Sequence, residues 1–338
     1  MLRSNCIDAA LCRNSVLLLF SLVICSFFVS VGCEKSTTPN LTQLNLKPQG
    51  REVPDFHADS AYHYIQQQVD FGPRNPNSKA HRQTLKYLKE NLAHYAGSDK
   101  VFQQKFTHPG YGADSLKLTN IVASFNVNAS DRIMLCAHWD TRPRAEEDSD
   151  PAQKNNPILG ADDGGSGVGV ILEIARIMYH HPPPVGVDIV LFDGEDYGKR
   201  DSLQHYFLGS RYWSENPPVP NYNPRFAILL DLVGAKDATF YRERYSLSYA
   251  KPLVNDVWAI ADTLGYDHFF LSETGRAIQD DHFIVNRDAG IPAIDIINHT
   301  KTGFPDYWHT HRDNMDIIDK KTLEAVGSVL TELIYNRL

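Results

Sequence analysis

Val187-Asp188-Ile189-Val190-Leu191-Phe192, followed at once by Asp193-Gly194-Glu195-Asp196, is the stretch that decides the fold. An apolar, β-branched run of this length reads as an interior strand of an α/β sheet. In open sheets of that class chemistry collects where strands end, because the loops there carry polar groups. Neighbouring residues on such a turn point in different directions. One carboxylate can hold a metal while the other faces a substrate as a proton carrier. Taken alone, an acidic pair after a glycine is a solvated turn, so its meaning depends on what the rest of the chain brings to it.

Outward from this strand, apolar runs alternate with helical periodicity. Helices are expected at Ala58–Val69, Ser78–Tyr95, Ser166–Tyr179, near Leu208–Ser214, at Lys251–Leu264 and at Lys321–Tyr335. Strands are expected at Val101–Phe106, Leu118–Phe125, Ile133–Ala137, Phe226–Leu230 and Ala293–Ile297. Such alternation indicates an α/β fold, a single domain over residues 53–338 with a central, mixed and mostly parallel β-sheet flanked by helices.

The N-terminus reads differently. Ser15 to Val31 is continuously apolar and follows Arg3 and Arg13, which describes a secretory signal over residues 1–32. Ser30-Val31-Gly32-Cys33 resembles a bacterial lipoprotein cleavage site, with Cys33 as the lipidated first residue; a plain signal, cleaved elsewhere or retained, stays open. Residues 33–52, rich in Ser, Thr, Pro, Asn and Gln, read as a flexible tether. The expected location is outside the cytoplasm, in a bacterial periplasm or cell envelope, with membrane contact only through the anchor or signal. Of five cysteines only Cys136 lies beyond Cys33, so the domain has no internal disulfide. The net charge of −8, and −9 without residues 1–32, argues against nucleic acid as a partner.

Further polar groups sit just past apolar runs or at helix mouths. They are His138-Trp139-Asp140, Gly160-Ala161-Asp162-Asp163-Gly164, Asp231, Gln279-Asp280-Asp281-His282 at the start of a helix, and Trp308-His309-Thr310. Each alone has a bland reading as a cap, turn or packed aromatic. Together they suit zinc, which takes imidazole nitrogen and carboxylate oxygen and leaves a position open in catalytic sites. Asp163, Asp196 and His309 make a three-ligand set, with Glu195 beside it as base. His138 and Asp231 complete a second metal position or stand behind the ligands as hydrogen-bonding groups, as does Asp140. One ion and two remain equally open on residue types alone.

The order His138-x-Asp140, Gly160-Ala-x-Asp163, Glu195-Asp196, Asp231, His309 resembles the zinc-dependent aminopeptidase superfamily. Within it the chain looks like a glutaminyl-peptide cyclotransferase of the animal type, as also found in bacteria. The closer markers are Phe192-Asp-Gly-Glu-Asp196, Asp201-Ser202 with Leu208-Gly-Ser-Arg211, Leu230-Asp-Leu-Val-Gly-Ala235, Ile278-Gln-Asp-Asp-His282 and Phe304-Pro-x-x-Trp-His-Thr310. The likeness runs from about residue 55 to the C-terminus. Two features depart from it: the animal enzymes have Glu-Glu where this chain has Glu195-Asp196, and they bear a disulfide near the first motif that Cys136 cannot form.

The resemblance implies cyclisation of N-terminal glutamine to pyroglutamate with loss of ammonia, on peptides or proteins beginning with Gln and with one Zn2+. Asp163, Asp196 and His309 are then the ligands and Glu195 the proton shuttle. Asp231 and Asp280 bond the substrate nitrogens and the shuttle. Trp308, Phe304, Ile278 and Gln279 wall the pocket. The alternative is an exported two-zinc aminopeptidase in which His138 and Asp231 are further ligands. A peptide-binding lipoprotein without catalysis is a third reading, and it leaves Glu195 without a purpose.

Overall fold

Strict alternation of side chains along the central strands builds two apolar layers, one on each face of a sheet. The structure, a computed structural model, describes residue 44 and residues 46–111, 114–200 and 202–338. The expected signal 1–32, Cys33, much of the tether and Asp201 lie outside these residues. Among the described residues no helix is long and apolar enough to cross a membrane.

In chain order the elements are α1 (Ala58–Asp70), α2 (Lys79–Ala96), β1 (Val101–Pro109), β2 (Ser115–Phe125), β3 (Arg132–His138), α3 (Gly165–His180), β4 (Gly186–Phe192) and α4 (Leu208–Glu215). There follow β5 (Ala227–Asp231), β6 (Phe240–Arg242), α5 (Arg244–Thr263), β7 (Phe270–Thr274), α6 (Asp281–Ile284), β8 (Ala293–Ile297) and α7 (Lys320–Glu332). The main sheet has the order β1-β2-β4-β3-β5-β8. Its β4, β3, β5 and β8 run parallel, while β1 and β2 add antiparallel.

Ile133, Leu135 and Ala137 of β3, with Ile189 and Leu191 of β4, face the larger layer, which α1, α2, α3, α5 and α7 cover. Met134, Cys136, Val190 and Phe192 point the other way, onto Trp213 of α4 and the segment Val285–Ile291. At Gly167 a β-carbon would lie 2.2 Å from the Leu230 carbonyl oxygen. Only glycine lets α3 press its first turn onto the end of β5. That contact brings the start of α3 against the carboxyl ends of β3 and β5, where polar motifs lie.

The mixed, mostly parallel sheet flanked by helices agrees with the expectation. Two pieces differ. The helix expected from Lys251 begins at Arg244 and is broken at Ala250 (φ −141°, ψ 41°) ahead of Pro252, so periodicity revealed only its second half. The tether's last residues are fastened down: Leu46 is buried, Gln49 N–H donates to the Asn336 carbonyl at 2.7 Å, and Arg51 N–H donates to Asn336 Oδ1 at 3.1 Å.

Candidate active site

The turn after β4 is held at every residue. Asp193 turns inward, where its carboxylate meets His81 Nε2 at 2.9 Å and accepts the Thr119 N–H at 2.6 Å. Gly194 adopts φ +78°, open to glycine and strained for other residues. The Glu195 and Asp196 amides donate to the two oxygens of Asp140 at 3.0 and 3.3 Å, which aims both side chains forward. Phe207, at the mouth of α4 with φ +60°, donates its N–H to the Glu195 carbonyl at 2.9 Å.

The loop ahead of α3 is held as firmly. Asp313, fully buried, accepts the Asp162 amide at 2.7 Å and the Asp163 amide at 3.1 Å. The buried Arg74 donates Nε to the Trp139 carbonyl, Nη1 to Leu159 and Nη2 to Gly160, at 2.7 to 3.0 Å. Gly164 starts the helix at φ +80°, where a β-carbon would lie 2.5 Å from the Asp140 carbonyl and against the His138 ring. This close approach delivers Asp163 to the ends of the strands.

Asp163, Asp196 and His309 converge so that one donor atom from each lies within 4.8 Å of the others. His309 Nε2 stands 3.4 Å from Asp196 Oδ1 and 3.6 Å from Asp163 Oδ2. Its backbone is in the left-handed region at φ +54°, a strained conformation at a functional position. The Trp308 ring stacks on it at 3.4 Å between centroids, and Phe304 stacks on Trp308 at 4.4 Å. Asp196 Oδ2 is buried without a hydrogen-bond partner. A lone pair left bare in this way, beside an imidazole and a second carboxylate, fits a divalent metal of the zinc type. A second donor set, His138, Asp163 and Asp231, shares Asp163 with the first. There His138 Nε2 already lies 3.2 Å from both Asp163 Oδ1 and Asp231 Oδ1.

A cleft of about 250 Å³ opens over this floor. It brings together Glu195, Asp231, Asp280, the three donor residues, Ile278, Gln279, Phe304 and Trp308, all named from the sequence. His138 and Asp140 do not line it; both are buried behind the donors. Burial pushes the Glu195 carboxyl well above its ordinary range, and Asp196, Asp280 and Asp281 add to the push against the opposing pull of His138. Burial likewise raises Asp231 to about 8, although His138 bonds it. Asp196 moves the other way: burial would raise it, but Arg142 and His309 outweigh that and hold it ionised. Two neighbouring acids are thus shifted in opposite directions by their surroundings.

Several side chains escaped the sequence reading. Arg142 Nη1 donates to Asp196 Oδ1 at 2.5 Å, while its Nη2 bonds Glu146 and the Tyr206 hydroxyl. Glu243 caps α5 by accepting the Tyr245 and Ser246 amides, accepts the Ile278 amide at 2.9 Å, and meets His282 Nε2 at 3.1 Å. One carboxylate thus ties the pocket wall at Ile278 to the helix that Asp280 caps. Arg142 lies two residues beyond Asp140, but its partners Asp196 and Tyr206 are 54 and 64 positions on, and Glu243 and Asp313 likewise carried no local signal. The rim is completed by Glu146, Glu147, Arg200, Leu203 and Phe207.

The profile of peptidase family M28 matches residues 120–334. A zinc-dependent exopeptidase from Parabacteroides distasonis is 47% identical, over 85% of this chain and 100% of that one, with a TM-score of 0.82. The glutaminyl cyclase of Bacteroides thetaiotaomicron, solved with N-acetylhistamine, is 46% identical over the same shares, again with a TM-score of 0.82. Among curated proteins, the glutaminyl-peptide cyclotransferase of Bothrops jararaca is 25% identical over 299 residues, 79% of this chain and 77% of its own.

Proposed function

The chain belongs to peptidase family M28, and from that membership we infer that it is a glutaminyl-peptide cyclotransferase. It closes the N-terminal glutaminyl residue of peptides and proteins to pyroglutamate and releases ammonia. The observation that supports this choice most directly is the cleft itself. At about 250 Å³, walled by Trp308, Phe304 and Ile278, it suits one short amide side chain with its own α-amine.

Asp163, Asp196 and His309 are the residues that would hold zinc, and the unpartnered Asp196 oxygen supports their fit. Bound there, the ion supplies a Lewis acid for the γ-carbonyl of the substrate. The attacking amine and the amide share one residue, so proximity is nearly supplied and the protein's work is proton movement and orientation. Glu195 takes a proton from the α-amine as the new C–N bond forms. The same carboxyl returns it to the amide nitrogen, which leaves as ammonia. A carboxyl raised by burial is matched to both halves of that task. Asp280 and Asp231 accept hydrogen bonds from the two substrate nitrogens, and the stacked Phe304 and Trp308 keep water off the reacting carbonyl.

We propose a single ion, because His138 contacts both Asp163 and Asp231 where a second would sit. The shared Asp163 favours one other reading, a two-zinc aminopeptidase. Incubation with a Gln-initiated and a Leu-initiated peptide separates the two. Ammonia from the first alone is expected, and free leucine from the second would overturn the cyclase. Residues 1–32 as signal and Cys33 as lipid anchor fit a cyclase of the periplasm or cell envelope acting on exported proteins.

A further inference from the structure

Beside the glutamine cleft, and sharing Glu146, Glu147 and Arg200 with it, runs a second groove that the reaction leaves unused. It is also lined by Arg144, Lys154, Lys199 and Ser202. Its charges do not cancel. Glu146 is paired with Arg142, and Glu147 with Arg200 at 2.6 Å. Among the described residues Arg144, Lys154 and Lys199 have no carboxylate partner. They are anchored to neutral groups instead: Arg144 Nη2 donates to the Tyr197 and Gly198 carbonyls at 2.7 Å each, and Lys154 Nζ donates to the Glu146 carbonyl at 3.0 Å. The Tyr111 ring, stacked on Tyr197, holds the Lys199 ammonium 4.3 Å and the Arg144 guanidinium 5.7 Å from its centre. Three cations are thus held in place with their charge unspent, on a protein whose net charge is −8.

We propose that this groove receives the residues that follow the glutamine and selects peptides carrying carboxylates there. The inference rests on the cyclase reading, and its geometry follows from it. The residues that follow a glutaminyl group seated under Trp308 leave the cleft across its rim, and part of that rim opens onto the groove. There Glu146, Glu147 and Arg200 border both spaces. An acidic side chain entering the groove exchanges water for fixed cations, whereas a basic one meets like charge. Rim charges of this kind act on association and weaken with salt, because the Debye length falls to about 10 Å at 0.1 M.

The experiment is a set of peptides Gln-Ala-Ala, Gln-Glu-Glu and Gln-Lys-Lys, extended by a common neutral tail, followed by ammonia release at low and high ionic strength. The acidic peptide is expected to exceed the basic one by roughly tenfold in kcat/KM at low salt, with the gap shrinking as salt rises. In Lys199→Glu, and separately in Lys154→Glu, the preference is expected to shrink or reverse while the neutral peptide turns over as before. Equal kcat/KM across the set, or a preference that neither variant moves, would overturn the groove and leave the cyclase standing. Absence of turnover with all three would overturn both.

Discussion

Glu195 and Asp196 share a turn and a backbone anchor in Asp140, so the opposite shifts of their carboxyls come from what surrounds their side chains. Glu195→Gln is expected to keep its zinc by elemental analysis and to lose turnover by about 100-fold or more, the scale of a missing acid–base group. Asp196→Ala is expected to lose the metal itself. Glu243 offers a test away from the metal. Burial would raise its carboxyl, but His282 and the α5 amides bring it down to about 2, against 4.5 in an unfolded chain. A lowered carboxyl contributes stability that is present above pH 4.5 and lost as the pH falls towards 2. Glu243→Gln should flatten that part of the acid-unfolding curve, a difference of roughly 3 kcal/mol at most. An unchanged acid limb would remove Glu243 from this role. At this scale the sequence disclosed the donors and pocket wall, since acids and imidazoles after apolar strands are locally visible. Arg142, Asp313 and Glu243 work through partners far away in the chain, and no local pattern announces that.

Elements carry the next level of precision. Helix α3 delivers Asp163 because Gly167 lets it touch β5 and Gly164 lets the chain turn under Asp140. Gly167→Ala would place a methyl against the Leu230 carbonyl. A loss of about 1–3 kcal/mol in unfolding free energy is expected, together with weaker zinc retention, since the helix moves with its ligand. Full stability with normal metal content would show that the contact is looser than its geometry implies. The long strands and helices were legible from periodicity. The short β6 and β7 were not, because three and five residues with mixed polarity give no alternation to read. The first half of α5 was hidden by the break at Ala250, behind which only the Pro252 half kept a clean apolar stripe.

For the molecule as a whole, the proposed division into a signal with its anchor and a catalytic domain makes two predictions. A chain starting at residue 34 should turn over as fast as the full one, and Cys33→Ala should abolish incorporation of a labelled fatty acid in a lipoprotein-processing host. Labelling that survives this change would place the lipid elsewhere. The alternation of elements made the α/β domain visible in the sequence. The docking of residues 46–51 on the C-terminus depends on Asn336, nearly 290 positions away, and was not. Arg74 carries a last consequence. Burial lowers its guanidinium to about 10, with Asp313, Asp140 and Asp163 opposing the drop, so at neutral pH it stays protonated among the acids of the site. With Arg142 it supplies positive charge built into the polypeptide, independent of any ion. Folding need not wait for metallation: a chelated sample should still melt in one cooperative step and regain turnover when zinc is restored, so the enzyme can be assembled in one place and switched on in another.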